Sequence, residues 1–259
     1  MGIDTRDTIF PAVFRARMAE DKEFLGQLLR TEHVWNTPLS ESHASDLLGH
    51  LELPSAHRLL DLGCGRGRLL LEALGRAPTA HGVGVDRDRW ELDQGRAVAK
   101  ESGLGDRVTF VARDATKFDG TADRVMCIGA SHAWGGTGTA LARLRERTLP
   151  KGLLLFGDGF WARSPSRPLL EAFGNQESSL EAIADRAKAA GWRVVHTDIA
   201  GQDEWDAFEE SSYRGLERFA RRAPDHPLSG AARDLAAQRR KAYYEGYRGI
   251  LGFAYLVLG

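Results

Sequence analysis

The chain has 259 residues, 42 % hydrophobic and 27 % charged, with 35 Lys plus Arg against 36 Asp plus Glu and a formal net charge of -1. This length suits one α/β domain with added elements, the composition builds a core without difficulty, and the balanced charge argues against a dedicated nucleic-acid binder. Cys64 and Cys127 are too few for a disulfide framework and fall in no metal-ligand spacing. With no continuous apolar leader and no apolar run of membrane-spanning length, a cytoplasmic protein with no metal and no membrane partner is expected.

Taken in chain order, AEDKEFLGQLLRTEHVW and SESHASDLLGHLEL place apolar residues at helical spacing, with Ser40 or Ser42 as N-cap, so two helices precede the core. From 57 the texture alternates between strand and helix. HRLLDLG (57–63), HGVGVD (81–86), DRVTFVA (106–112), ADRVMCIG (122–129) and GLLLFGD (152–158) read as five strands. Helices follow the first and second strands, and ALARLRERTL between the last two sets Leu141, Leu144 and Thr148 on one face. LEAIADRAKAAG gives a helix stopping at Gly191, and WRVVHTDIA (192–200) a sixth strand. Residues 203–248 hold two helical segments, and the apolar run 249–259 reads as a seventh strand. The fold expected is α/β, a doubly wound and mostly parallel seven-stranded sheet. It divides into an N-terminal helical cover (1–55), an α/β core (56–202), a helical lid (203–248) and a final core strand (249–259).

The chain carries 29 Gly, above the roughly 7 % of ordinary proteins, and they gather where backbone geometry demands them. LLDLGCGRG (59–67) runs a strand into Gly63, Cys64, Gly65, Arg66 and Gly67, with a helix directly behind. Glycines admit a ligand close to the backbone, and the helix N-terminus offers unpaired N–H groups to an anion. A dinucleotide fingerprint requires glycine at position 68, where Arg68 stands, which disfavours a nicotinamide enzyme. Asp61, two residues before the first glycine, is badly placed for a pyrophosphate but well placed for an ammonium. A carboxylate opposite free N–H donors matches an amino-acid zwitterion. Asp86 ends the second strand and Asp114 follows the third. Each alone is equally explained as a helix N-cap.

The stretch LLDLGCGRG resembles motif I of the class I S-adenosylmethionine-dependent methyltransferases. The resemblance implies that Asp61, Gly63, Cys64, Gly65 and Gly67 line the methionine part of S-adenosylmethionine. It further implies that Asp86 takes the ribose hydroxyls, that Asp114 and the backbone of Ala115 read the adenine, and that Arg87 packs on its face. The chain is also similar to one subgroup of that superfamily at NTPLS (36–40), CIGASHAWGG (127–136), GDGFW (157–161) and EWDAFEES, over about 30–259. It departs from the subgroup at Arg68, where a carboxylate is common, and at Asp158, where Glu is usual.

Acceptor groups are expected at the carboxyl ends of the fourth and fifth strands. CIGASHAWGG lacks the Asn/Asp-Pro-Pro-aromatic sequence of enzymes that methylate nucleic-acid bases, and so favours a small-molecule acceptor. It supplies His132, a suitable general base near neutrality, and Trp134. FGDGFW supplies Asp158, as base or loop carboxylate, and Trp161. Trp205, Phe208 and Tyr213 are read as a lid, with helix packing as the bland alternative. The function expected is methylation of an O, N, S or carboxylate of a small molecule. The alternative is a cofactor-binding partner protein without catalysis. Oligomeric state is not legible.

Overall fold

The computed structural model describes residues 12–174 and 176–259. Seven strands form one sheet in the order β3-β2-β1-β4-β5-β7-β6, with β1 Arg58–Leu62, β2 His81–Asp86, β3 Val108–Ala112, β4 Ala122–Ile128, β5 Thr148–Trp161, β6 Val194–Ile199 and β7 Leu251–Leu258. All pairings are parallel except those of β7, which lies antiparallel between β5 and β6. The helices are α1 Ala12–Arg30, α2 Glu41–Gly49, α3 Arg68–Arg76, α4 Arg89–Glu101, α5 Thr137–Arg147, α6 Arg167–Phe173, α7 Leu180–Ala189, α8 Gln202–Arg222 and α9 Ser229–Lys241. Ser40 caps α2, accepting from the His43 amide.

Two local readings change. Thr148 opens β5 instead of closing the preceding helix, its hydroxyl donating to the Leu144 carbonyl at 2.9 Å where the helix stops. The seven-residue α6 has no buried residue, so it leaves no apolar periodicity in the sequence.

The chain folds as two compact units, divided at 36/37, 205/206 and 245/246. Helix α2, grouped by sequence with the N-terminal cover, thus belongs to the unit that holds the sheet. It buries Ala44, Leu47 and Leu48, and its Ser45 carbonyl accepts from Arg76 of α3 at 2.8 Å. The other unit is helical: Tyr213, Leu216, Ala220, Ala232 and Ala236 form its core, and Arg239 pairs with the buried Glu209 at 2.9 Å. Among the described residues no helix is long and apolar enough to cross a membrane.

Strand alternation sorts the two faces of the sheet. Leu60, Leu62, Leu154, Phe156 and Phe160 pack with Leu141 of α5 and Ile183 of α7. On the opposite face Gly82 lies beneath Leu70 and Leu74 of α3, and Phe110 packs with Leu71 and Leu92. Register fixes what stands level with what. Asp61 pairs with Met126, Met126 with Leu155, and, one pleat further on, Ile128 with Gly157 and Gly157 with Tyr255. The segment Thr37–Ser40 is held near this row. The Tyr255 hydroxyl donates to the Pro38 carbonyl at 2.8 Å, the Ser40 amide donates to Glu204 at 2.6 Å, and His43 Nδ1 bonds the same carboxylate at 2.9 Å.

That hydrogen bond to Glu204 raises His43 above the usual imidazole range against the opposing effect of burial, and the charges of Glu204, Asp198 and Asp46 add to it. Burial alone would lift Glu204, yet bonds from His43, Ser40 and Gly201 bring it down to about 2. Glu204's contribution is present above its ordinary value of 4.5 and fades as pH falls toward 2, while His43's is complete below 6.5 and fades as pH rises through its raised value. Glu204→Gln should therefore cost about 1–3 kcal/mol, with the largest loss of melting temperature against wild type between roughly pH 4.5 and 6.5. A difference that stays flat from pH 3 to 9 would contradict the pairing.

Candidate functional site

Strand β1 ends at Leu62, and the chain turns at once over the end of β2. The amides of Gly63 and Cys64 both donate to the Val85 carbonyl, at 2.9 and 3.1 Å. Gly63 and Gly65 take φ of +83° and +53°, which an L side chain adopts only under strain. The two positions differ in surroundings. A Cβ at Gly63 would stand 2.5 Å from that of Ala130, so this glycine permits contact between two loops, whereas a Cβ at Gly65 would meet nothing within 4 Å. Gly67 caps α3, whose first-turn amides have no intrahelical partner and carry the positive end of the helix dipole. Arg66 anchors the turn to α4, its Nε donating to the buried Glu91 at 2.9 Å.

Three acids surround this loop, in three different states. Asp61 is 5 % exposed, and burial, then the charge of Asp86, push its carboxyl up to about 8; no hydrogen bond contributes. Asp86 accepts from the Gly65 amide at 2.8 Å through one oxygen and from the Asp88 amide at 2.9 Å through the other. Helix α4 is capped by Asp88, which accepts from Trp90 and Glu91, so Asp86 has no capping duty. Asp114 does cap, its Oδ1 accepting from the Thr116 amide at 3.0 Å and hydroxyl at 2.7 Å, and these bonds followed by the charges of Arg87 and Lys117 lower its pKa. Its Oδ2 takes part in neither bond. Arg87 is exposed and Ala115 is 9 % exposed. Burial, then the charges of Asp61 and Asp86, drive the Cys64 thiol upward, so Cys64 is a loop filler without thiolate reactivity. Arg68 faces Glu41 and Glu72, at 3.6 and 3.7 Å.

A buried carboxyl with no hydrogen bond, a helix N-terminus with its positive dipole end and open room above Gly65 together fit the amino-acid end of S-adenosylmethionine. An ammonium against Asp61 would supply the partner its burial denies it.

The loop after β4 carries His132, which is exposed, and Trp134, which is half-buried and packs against the main core. Asp158 lies on the face of β5 that looks toward α5. Its Oδ2 accepts from the Thr137 hydroxyl at 2.7 Å and its Oδ1 from the Gly159 amide at 3.0 Å. Trp161, 7 % exposed, meets Phe173 edge-on at 6.3 Å, and Trp205 meets Tyr247 likewise at 6.3 Å. Tyr213 is buried in the helical unit, with the Arg240 guanidinium 4.6 Å above its ring.

Three residues of this region escape sequence reading. Ser131 and Thr137 are buried polar side chains flanking the His132 loop, and Phe253 lies where a Cβ on Gly157 would be 2.9 Å from its ring. Phe253 had a trace in the sequence, because Gly157 and Gly252 leave room for rings from the neighbouring strand. Thr137 had none, since its partner Asp158 lies one strand away, and nothing in the sequence marks Ser131 as buried. Among the described residues no group of three or more His, Cys, Asp and Glu is placed to hold a metal ion.

Comparison with known proteins agrees with this geometry. Residues 59–152 match the family model of a methyltransferase domain. The chain is 27 % identical over 223 residues to the uncharacterised protein YjhP of Escherichia coli, covering 82 % of this chain and 90 % of that one. It is 28 % identical over 167 residues to the 27-O-demethylrifamycin SV methyltransferase of Amycolatopsis mediterranei, covering 62 % of this chain and 55 % of that one. Among solved structures it superposes with a TM-score of 0.83 and 26 % identity on an S-adenosylmethionine-dependent methyltransferase from Geobacter sulfurreducens bound to S-adenosylhomocysteine, covering 91 % of this chain and 97 % of that one. The strand order, the glycine loop with its buried acid and these likenesses converge: the chain carries a methyltransferase domain over residues 59–152, has the Rossmann-like fold of the class I S-adenosylmethionine-dependent methyltransferases, and takes S-adenosylmethionine as its cofactor.

Proposed function

We propose that this protein is an active enzyme that methylates an O, N, S or carboxylate group of a small-molecule acceptor. The carrying observation is the contact of Ala130 with Gly63, which sets the loop bearing His132 directly beside the cofactor loop. The rifamycin-directed activity of one relative and the lack of a base-methylating motif after β4 support a small acceptor over a nucleic acid.

In this reading Asp61 takes the cofactor ammonium and the amides at the start of α3 take its carboxylate. Asp86 keeps its bond to Gly65 and accepts the ribose hydroxyls, and the free oxygen of Asp114 with the Ala115 amide reads the adenine, Arg87 covering its face. The bound cofactor supplies an activated methyl group on a sulfonium. His132, at the exposed tip of its loop, accepts the proton that a protonated acceptor loses as the new bond to carbon forms. Trp134, Trp161 and Trp205 line the acceptor side. Tyr213 serves the core of the helical unit and is left out of that wall.

Asp61→Asn should weaken S-adenosylhomocysteine binding about 10–100-fold by calorimetry, the loss of one charge-assisted hydrogen bond. The same variant should melt higher than wild type without ligand at pH 8. A carboxyl raised to about 8 in the folded chain gives the folded state an extra proton from its ordinary value of 3.8 up to 8, so wild-type stability falls across that interval and the amide escapes the fall. Unchanged affinity would remove Asp61 from the cofactor site. After small metabolites are screened for cofactor turnover, His132→Ala should slow single-turnover transfer to a hydroxyl or amine about 10²–10³-fold while leaving S-adenosylhomocysteine affinity intact. Full single-turnover activity in that variant would discard His132 as base.

A further inference from the structure

We propose that Asp158 is a positioning residue: through the Thr137 hydroxyl it clamps the loop that carries His132 where that loop enters α5, and so sets where that imidazole stands beside the cofactor loop. The inference rests on the functional reading above for the importance of His132, but the clamp itself is a property of the loop.

Asp158, Ser131 and Thr137 are 7 %, 6 % and 5 % exposed. The Thr137 hydroxyl reaches Asp158 Oδ2 at 2.7 Å and the Gly159 amide reaches Oδ1 at 3.0 Å, with Ser131 buried at the other end of the loop. A carboxylate accepts several such bonds at once, and a side chain that also had to donate could not satisfy them all. The two hydroxyls bracket the loop. Ser131 opens the 3-10 turn Ser131–Trp134 and Thr137 opens α5, with Gly135 and Gly136 between them at φ of +81° and +122°. The Gly136 amide donates back to the Ser131 carbonyl at 3.2 Å, and the Gly135 amide to the His132 carbonyl at 3.1 Å. His132 is thus the second residue of a turn closed by its own backbone and anchored at its far end on one buried carboxylate.

The strand side of the loop is fixed as well. The Gly129 amide donates to the Gly157 carbonyl at 2.8 Å, and Ala130 follows against Gly63. From Gly63 the path runs through Ala130 and along the loop to Thr137, whose hydroxyl ends on Asp158. Asp158 therefore governs His132 without touching the acceptor. Its side chain shares a strand face with Phe156 and Phe160, the face that packs on α5, while Trp161 lies on the other.

The test compares Thr137→Val, which removes the hydroxyl and keeps the shape, with Thr137→Ser, which keeps the hydroxyl. Both are studied bound to S-adenosylhomocysteine, so that no acceptor is needed. The clamp predicts that Thr137→Val speeds amide hydrogen exchange across 131–137 roughly tenfold and shifts the His132 imidazole proton resonance, assigned by its absence in His132→Gln. Thr137→Ser should restore both, and the affinity for S-adenosylhomocysteine should stay within about threefold of wild type, because the bonds that hold the cofactor loop are untouched. Exchange and resonance both unchanged in a folded Thr137→Val protein would overturn the proposal, as would a Thr137→Ser protein that behaves like Thr137→Val. Full turnover by His132→Ala would remove the base and leave the clamp measurements standing, so the two failures are distinguishable.

Discussion

Two carboxyl groups meet behind one turn of backbone, and the turn can satisfy only one of them. Asp86 holds the Gly65 and Asp88 amides and thereby gives the glycine loop its shape. Asp61, one strand over and buried on the same side, is left with a neighbouring charge and no hydrogen bond. The loop geometry, the reach of α3 toward the cofactor and the placing of Ala130 all depend on this unequal division. Burial of Asp61 carries an electrostatic penalty that a cationic ligand group beside it would relieve, so that binding and folding would pull on one carboxyl in opposite directions.

The strands and the glycine loop were legible because both are written locally. Apolar runs bounded by glycine give β1 to β4 within a residue or two, and Asp61 is marked by its distance from Gly63. Ser40 was legible as a cap because its partner, the His43 amide, lies three residues on. What stayed hidden depends on register or on tertiary company. Asp86 and Asp114 look alike in sequence, yet one braces a loop from the next strand and the other caps a short turn, with Asp88 taking the cap of α4. The helical pattern of 203–248 marks α8 and α9, but nothing in SESHASDLLGHLEL says that α2 goes with the sheet, because that is decided by contacts such as Arg76 to Ser45. Asp158 was found as a residue and its surroundings were not, since Thr137 comes beside it only when β4 and β5 pair.

These details give the two loops at the site different kinds of rigidity. The cofactor loop is stiffened by backbone amides converging on Val85 and Asp86, with Arg66 pinned to a buried Glu91. The His132 loop is stiffened by its own backbone bonds and by the Thr137 hydroxyl on one buried acid. The first design tolerates change in side chains but not in the conformation of its glycines, and the second tolerates change in conformation only while that hydroxyl remains. Substitutions at the site should therefore sort by which loop they strike.

The position of β7 has a consequence for the order of assembly. It follows β6 in chain order, yet it lies inside the sheet, and among the described residues β6 pairs with β7 alone. A chain emerging from the ribosome can join β1 to β5 as each appears, while β6 waits with both edges open until Leu251–Leu258 arrives to bridge it to β5. Phe253 and Tyr255 are delivered by that same strand. The cofactor half of the sheet can thus be complete while the half beside it has no seam, and a nascent or prematurely terminated chain would combine a formed glycine loop with an unpaired strand open to association.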